Sequence, residues 1–522
     1  MPKFIEKHEI PALVKNDCTI CTVGMTLISS SETTLKALEK SFLETGEPKN
    51  LTLLHSAGQS DRKNGIQHFA HEGFVTRIYG SHWGLQPRWM EMIANNKVEA
   101  FCLPQGQITH LYRAMAGNKP GMFSKVGLGT YIDPRVEGGK MNDITKPLDP
   151  PVDIIELYGE EYMFYKAIPI DVCIIRGTKC DQNGNLSFEE EAMKLEVLPA
   201  VLATKNNGGI VIAQVKRVVE NGTINPKLAE IPGVFIDYVV VCDNLVEDHR
   251  QTSSWYLDLS FSGQERVPQG DIKPVPFSER KYIGRRACME LRSGNIINLG
   301  TGIPNDTVGG ICNEEGVEDV MITVESGIYG GVSAGGIDFG IGQNLQAMIR
   351  HDEQMDFYNG AGCDITFMGF GEIDQYGNVN ATKMGSACTG CGGFIDLTQN
   401  ARKVVFCGTF MAKAKYDFTD DEIVIKKEGT IKKFVKNVNQ ISFNGKQSVA
   451  NKQEIYYVTE RAVFTLTEEG VKLIEIAPGI DLQTQILDLM DFEPIIADDL
   501  KVIDPDLLIQ DGTYGLKEKM AK

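Results

Sequence analysis

The chain has 522 residues, a formal net charge of −18 and 12 cysteines. Its length, several times the roughly 100 to 200 residues of one domain, predicts at least two domains. The chain is acidic and has no lysine- or arginine-rich tract, so nucleic acid and anionic membrane surfaces are not expected partners. The amino terminus is charged, and no apolar run reaches about 18 residues. We therefore predict a cytoplasmic protein that does not cross a membrane.

The first half of the chain alternates apolar runs with helical patterns. Residues 171–175 and 209–213 are predicted strands, and a helix is predicted to begin between them near Glu189. This alternation is typical of βαβ units. We therefore predict an α/β domain with a mostly parallel sheet over residues 1–250.

Residues 251–278 break the alternation with polar residues and prolines. Because proline disfavours helix in the residue before it, this stretch is predicted to be a linker. A helical pattern over residues 279–292 then leads into an apolar run at 296–300. We predict that residues 279–522 form a second α/β domain.

One short motif occurs in both halves. Residues 181–185 and residues 374–378 share the pattern Asp-Gln-x-Gly-Asn, and each follows an apolar run. Such turns form readily, because Asp and Asn bond the nearby backbone and Gly accepts a positive φ. The match of strand and turn predicts a duplicated domain, with a functional site in the cleft between the copies.

Glu325 closes the β-branched run of residues 320–324 and opens the glycine-rich stretch 326–332. The run predicts a central strand, and ligands of α/β sheets gather at the carboxyl ends of strands. A carboxylate beside a backbone without side chains can meet a substrate directly, so Glu325 is a candidate nucleophile. The alternative is an ordinary solvated glutamate at a strand end.

The glycine-rich loops do not match a nucleotide fingerprint. Residues 300–305 have two glycines of the dinucleotide motif but Asn305 in place of the third, and no loop is followed by the Lys-Ser/Thr of a P-loop. The loop 390–394 offers backbone amides to a ligand, although glycines also serve a tight turn.

The cysteines are scattered through predicted strands, so we expect buried, reduced thiols. The pairs Cys18/Cys21 and Cys388/Cys391 raise the alternative of a zinc or redox site. Neither has a histidine at zinc-finger spacing, so no metal is predicted.

Several motifs in the same order resemble the class I CoA-transferases of the fused single-chain type, which includes propionate, acetate and acetoacetate CoA-transferases. The resemblance covers nearly the whole chain and is carried by residues 103–107, 127–135, 159–167, 298–304, 323–327 and 392–404. It implies two related open α/β domains with mostly parallel sheets and an active site at their interface.

By this resemblance Glu325 is the nucleophile of a ping-pong exchange. It attacks an acyl-CoA, and CoA is then held as a glutamyl thioester until a free short-chain carboxylic acid accepts it. A glutamate with an ordinary pKa near 4.3 is ionised at neutral pH, so no activating base is expected. Coenzyme A is a substrate, and no tightly bound cofactor is implied.

The resemblance also implies roles for the surrounding residues. Oxyanion stabilisation and acyl binding fall to Gln105, Gly393, Gly24 and Met25, and CoA binding falls to Gly390, Gly392, Gly393 and Phe394. Without the resemblance, Gln105 would be a surface residue of a Pro-Gln-Gly turn. Lys383, Arg402, Lys403 and Lys413 are candidates for the CoA phosphates, but such residues are more often solvated surface charges. The family resemblance further implies a homo-oligomer, either a dimer or a tetramer.

One segment departs from the family pattern. The first-domain loop that ends in Pro-Glu in the family is here residues 22–32, in which only Gly24 and Glu32 are kept. This loop and Tyr329 are predicted to shape the acyl pocket. Two alternatives stay open: an acyl-CoA hydrolase, in which water replaces the acceptor acid, and a non-catalytic protein that binds an acyl-CoA or another metabolite.

Overall fold

The computed structural model describes residues 1–268 and 272–521; residues 269–271 of the predicted linker and Lys522 lie outside the described residues. Two ten-stranded sheets form the centre of the protein. Strands of the first lie between residues 3 and 241, and strands of the second lie between residues 296 and 502. The predicted α/β class with mostly parallel sheets is confirmed. The domain boundaries at residues 250 and 279 fall between the two sheets and stay a prediction.

Eight of the ten strands of the first sheet run parallel to their neighbours. Its central strand Val172–Asp181 is buried over nearly its whole length, as is typical of a parallel sheet covered on both faces. In spatial order the eight strands are Lys3–Ile5, Tyr238–Val241, Ile210–Val219, Val172–Asp181, Thr19–Thr22, Leu51–Leu54, Val75–Gly80 and Glu99–Cys102, with Leu186–Ser187 and Ala229–Ile231 attached at the side.

The second sheet has five parallel strands at its centre; short or antiparallel strands flank them, and the edge strand Ile495–Val502 runs parallel to its neighbour. In spatial order the strands of this sheet are Ala347–Met348, Ile328–Tyr329, Met321–Val324, Ile296–Leu299, Ile365–Gly369, Lys403–Cys407, Glu454–Val458, Ala462–Thr467, Gly470–Ile476 and Ile495–Val502.

Helices cover both sheets. They are Glu32–Thr45, Pro87–Ala94, Gln105–Ala116, Val197–Asn206, Leu245–Asp248, Glu279–Cys288, Ile303–Glu314, His351–Asn359, Phe394–Asn400, Gly445–Ala450, Leu482–Gln485 and Leu516–Met520. Every helix in the described part of the chain is too short or too polar to span a lipid bilayer.

Smaller strands lie outside the two large sheets. Gly121–Ser124, Glu160–Lys166 and Val152–Leu157 form an antiparallel sheet. Further short strands are Val332–Ser333, Gly342–Gln343, Glu372–Asp374, Val379–Asn380, Lys383–Met384, Ala387–Cys388, Met411–Ala412, Lys415–Phe418, Ile423–Lys427, Ile431–Lys432 and Phe434–Val435.

Both halves share one strand order. If the five core parallel strands of each half are numbered along the chain, they lie side by side in the order second, first, third, fourth, fifth. Those strands are Thr19–Thr22, Leu51–Leu54, Val172–Asp181, Ile210–Val219 and Tyr238–Val241 in the first half, and Ile296–Leu299, Met321–Val324, Ile365–Gly369, Lys403–Cys407 and Glu454–Val458 in the second. This order reverses beside the first strand, which is where ligands bind in such sheets.

The repeated turn has the same hydrogen bonds in both halves. Asp181 Oδ1 accepts from the backbone N–H of Asn183 and Asn185, and its Oδ2 accepts from the Asn185 amide at 2.8 Å. Asp374 makes the equivalent bonds to residues 376 and 378, with 3.1 Å to the Asn378 amide. The predicted duplication is therefore visible in sheet order and in local structure.

All 12 cysteines lie in the described part of the chain, are buried and form no disulfide. The two members of the second C-x-x-C pair have different neighbours. Cys388 lies against the Met141 carbonyl, whereas Cys391 Sγ lies 3.8 Å from Cys102 Sγ. The described residues contain no group of three or more metal-binding side chains that could hold an ion.

Candidate active site

A cavity of about 440 Å³ lies where the carboxyl ends of both sheets meet. Its lining from the second half includes Gly300 and Glu325, each of which follows a core parallel strand, and Gly369, which ends one. The first half contributes Met25, Thr26, Gly58, His82, Gly84, Leu85 and Gln105. The cavity thus occupies the cleft between the two halves, where the sequence predicted a site.

Glu325 follows the strand Met321–Val324 and lines this cavity. The residue is 7% exposed, and its Oε2 atom is buried without a hydrogen-bond partner. Burial raises the pKa of Glu325 to about 7, although the nearby His351 ring and the Asn298 amide oppose this shift. The prediction of a carboxylate with an ordinary pKa near 4.3 is wrong, because a sequence does not reveal desolvation.

Gln105 is the first residue of the helix Gln105–Ala116 and is 2% exposed, so the interpretation as a surface residue is wrong. The start of this helix is fixed to the other half. The Gly106 N–H and the Gln107 amide donate to the buried carboxylate of Asp396, at 3.0 and 2.6 Å. The Gln105 N–H donates to the Gly392 carbonyl at 2.9 Å.

The glycine loop at residues 390–393 binds the first half as well as lining the cavity. Gly390 has φ +76°, and a Cβ atom there would lie 2.3 Å from the Ser81 carbonyl oxygen. The Gly392 N–H donates to that same oxygen at 2.9 Å. A Cβ on Gly393 would lie 3.9 Å from Glu325 Cβ. Phe394 begins the next helix and also lines the cavity.

The first-domain loop reaches the cavity through Met25 and Thr26, whereas Gly24 does not line it. A Cβ on Gly24 would lie 3.2 Å from the Ile28 carbonyl, so this glycine permits the tight turn instead. The predicted narrowing of the pocket by Tyr329 is wrong. Its ring packs 6.3 Å from the ring of Phe357 and is not part of the lining.

Three buried residues behind Gln105 were not predicted. His351 Nε2 lies 2.9 Å from Gln105 Nε2, His351 Nδ1 lies 2.7 Å from Glu196 Oε2, and Ser56 Oγ donates to Glu196. The only sequence signal is that His351 is one of eight histidines. Its partners are far away along the chain, so no local pattern marks them.

Among the basic candidates, Arg402 pairs with Asp364 and Lys403 pairs with Glu290 and Glu454. Lys383 and Lys413 have no ion pair within the described residues. A further cation, Lys433, was not predicted. Its Nζ lies 5.0 Å from the ring centroid of Phe370, which lines the cavity, and burial lowers its pKa.

Comparison with known proteins gives a consistent result. A Coenzyme A transferase family model matches residues 8–242. Caffeate CoA-transferase of Acetobacterium woodii is 43% identical over 97% of this chain and 97% of that protein. Acetate CoA-transferase YdiF of Escherichia coli K12 is 40% identical over 98% of this chain and 96% of that protein. The crystal structure of acyl-CoA transferase YdiF from E. coli O157:H7, a thioester complex with CoA, has a TM-score of 0.90 at 38% identity and covers 98% of this chain and 97% of that one.

Proposed function

This chain belongs to the coenzyme A transferase family and is a CoA-transferase, and we propose that it moves CoA from an acyl-CoA to a free carboxylic acid through a thioester on Glu325. The observation that carries the proposal is a buried carboxylate oxygen without a hydrogen-bond partner, on a residue that lines the cavity between the halves. A buried, unsatisfied oxygen is costly and is kept where it serves chemistry.

The proposed reaction has two half-reactions, one with the donor and one with the acceptor, and each has two steps. A Glu325 oxygen attacks the thioester carbonyl carbon, the C–S bond breaks, and CoA thiolate leaves an acyl-glutamyl anhydride. The thiolate then attacks the glutamyl carbonyl carbon, the anhydride C–O bond breaks, and the donor acid leaves as its carboxylate. An acceptor carboxylate reverses both steps. One thioester replaces another, so no other energy source is required.

Each attack places negative charge on a carbonyl oxygen, which needs a donor nearby. The Gly393 N–H suits this role because no described residue accepts from it, whereas the neighbouring N–H groups of Gly392 and Phe394 bond the Ser81 and Cys391 carbonyls. Gln105, whose backbone N–H bonds the neighbouring Gly392 carbonyl, offers a side-chain amide to the same cavity. Met25 is proposed to contact the acyl group, and Gly24 to support its turn.

CoA is proposed to enter past the glycine loop, with Gly390, Gly392, Gly393 and Phe394 beside its thiol end. We propose Lys383 and Lys433 as phosphate contacts, because each follows or packs on a cavity-lining segment and lacks a carboxylate partner among the described residues. Arg402 and Lys403 are occupied by carboxylates.

The proposed acceptor is a short-chain carboxylic acid. A phenylpropenoic acid is the second class to assay, because a relative at 43% identity is named for caffeate. The cavity lining favours such breadth, since Met25, Met368 and Met384 supply flexible thioethers that adapt to different shapes. A homo-oligomer, as a dimer or tetramer, and a cytoplasmic location remain proposals.

Mass spectrometry tests the intermediate. Protein incubated with an acyl-CoA and no acceptor is expected to gain a CoA adduct on the Glu325 peptide, and an added acid is expected to remove it as a new acyl-CoA. Glu325→Ala is expected to lose the adduct and all transfer, because no nucleophile remains. Glu318→Ala, an exposed glutamate near the start of the same strand, is the matched control and keeps both.

Two results would contradict this proposal. An adduct on Glu325→Ala would place the intermediate elsewhere. Release of free CoA at the same rate with and without acceptor acid would favour the hydrolase, in which water attacks instead.

A further inference from the structure

A buried chain of four side chains crosses the interface and ends at the active-site cavity. Ser56 Oγ donates to Glu196 Oε1, Glu196 Oε2 lies 2.7 Å from His351 Nδ1, and His351 Nε2 lies 2.9 Å from the Gln105 amide. Ser56, Glu196 and His351 are 0% exposed. Only Gln105 reaches the cavity.

The hydrogen bonds in this chain have a defined direction. The Glu196 carboxylate can only accept, so His351 Nδ1 must carry a proton and donate to it. The other ring nitrogen then decides the orientation of Gln105. A neutral ring accepts at Nε2 and draws the Gln105 NH₂ group toward itself, which is the orientation that the structure shows. A doubly protonated ring donates at Nε2, so the amide turns and its carbonyl oxygen faces the ring.

The charges around His351 favour the protonated ring. Burial alone would lower the pKa of His351, but Glu196, Glu325 and Asp352 together raise it above its ordinary value. Arg350 and Arg113 lie 3.4 and 3.7 Å from Asp352, so they offset the charge of that carboxylate. Glu196, which bonds the ring directly, is therefore the main group that favours protonation of His351.

We propose that Glu196 and His351 are positioning residues that turn the Gln105 NH₂ group into the cavity, where it donates to the carbonyl oxygen under attack. This inference rests on the proposed role of Glu325. The opposite orientation would present the Gln105 carbonyl oxygen to an oxygen that is gaining negative charge, and would repel it. The effect of the pair on the reaction therefore passes through Gln105.

The test is the single-turnover rate of CoA-adduct formation, measured against pH in four proteins: the unmodified enzyme, Gln105→Ala, His351→Asn and the double variant. The highest rate in each pH profile measures how much the Gln105 amide contributes to the reaction. The pH of the acidic limb measures how the charge of His351 shifts the pKa of Glu325. Gln105→Ala is expected to lower the highest rate by about 10²- to 10³-fold, as the loss of an oxyanion donor does. His351→Asn is expected to lower it by at least about 10-fold, and the double variant by no more than Gln105→Ala alone, because coupled residues are not additive.

Glu196→Gln tests the pair without removing the ring. Loss of the carboxylate lowers the pKa of His351, so the basic limb of the profile is expected to move to lower pH by at least about one unit. NMR of histidine labelled with ¹³C is expected to show the same displacement for the His351 signal. His68→Asn is the matched control, because His68 is also a buried partner of two glutamates, Glu32 and Glu39, outside the cavity. It is expected to reduce thermal stability and to leave the profile unchanged.

Three outcomes overturn the inference while leaving Glu325 as the nucleophile. The first is a double variant whose loss equals the product of the two single losses. The second is a basic limb unmoved in Glu196→Gln, and the third is full activity in Gln105→Ala. An adduct that persists in Glu325→Ala overturns the proposed function itself, so the two failures are distinguishable.

Discussion

The two halves share one strand order but use equivalent positions differently. The residue after the second core strand is His55 in the first half and Glu325 in the second. His55 is satisfied at both nitrogens, since Trp83 Nε1 donates to Nε2 at 3.2 Å and the Ala57 carbonyl lies 2.7 Å from Nδ1. Glu325 keeps an oxygen without a partner. At the same backbone position, His55 therefore has hydrogen-bond partners for its polar atoms, whereas Glu325 keeps an oxygen that can react with a substrate.

The start of the helix before the fourth strand shows the same contrast. Glu196 occupies this position in the first half, and Gly393 occupies it in the second. The Glu196 side chain fills its own copy of the cleft and bonds His351, whereas Gly393 leaves the space beside Glu325 empty. Gln105 and His351, which begin equivalent helices, bond each other between the two copies. The duplicated fold therefore has one active site, because Gly393 has no side chain to fill the space beside Glu325.

The largest expected effect comes from making the second copy resemble the first. Gly393→Glu places a side chain and a charge beside Glu325, so kcat/KM is expected to fall by at least about 10³-fold. Gly393→Ala is the graded control. Its Cβ would meet only ordinary contacts of 3.4 Å or more, so the fold is kept and a loss of about 10-fold is expected. Steady-state kinetics measures both, and an active Gly393→Glu would show that this space is not used.

The second prediction concerns the contact between the glycine loop of the second half and Ser81 of the first half. Gly390→Ala introduces a positive-φ strain of about 1–2 kcal/mol and a contact of 2.3 Å with the Ser81 carbonyl, so we expect the free energy of unfolding to fall by about 3–4 kcal/mol. Gly385→Ala is the matched control, because Gly385 has φ +62° and nothing within 4 Å of its Cβ position. It is expected to cost only the strain. Equal losses in urea unfolding would show that the contact with Ser81 does not hold the loop.

The smallest expected effect concerns the pH dependence of stability. The folded pKa of Glu325, about 7, lies above its ordinary value of 4.5, so this carboxyl contributes stability at low pH that is lost as the pH rises through about 7. Glu325→Gln stays neutral, and at pH 8 it is expected to be more stable than the unmodified protein by up to about 3 kcal/mol. The difference is expected to fall below about 1 kcal/mol near pH 5. Thermal unfolding at both pH values measures it, and a constant difference would contradict the raised pKa.

The pH dependence of activity on the acidic side follows from the same pKa of Glu325. Because only the ionised carboxylate attacks, adduct formation is expected to rise with pH through about 7 in the unmodified enzyme. His55, at the equivalent position, has a pKa lowered by burial to about 4 and does not titrate in this range. A profile that is flat from pH 5 to 8 would contradict the assignment.

The sequence by itself determined the α/β class, the repeated Asp-Gln-x-Gly-Asn turn and the position of Glu325 at the end of a buried strand. These features are local. Apolar periodicity, turn chemistry and a carboxylate beside glycines depend on residues that are neighbours in the chain, so they can be read without the fold. The motifs also indicated the family that the comparisons then identified.

The tertiary structure alone decided how the site works. Gln105 is buried because a helix start from the first half docks on Asp396 of the second, and its partner His351 is 246 positions away. His351 in turn depends on Glu196, 155 positions from it. The pKa of Glu325 depends on how much water the two halves together exclude. Contacts between distant segments and the desolvation they cause leave no pattern in a single sequence, because they arise only when both copies of the fold close over one cavity.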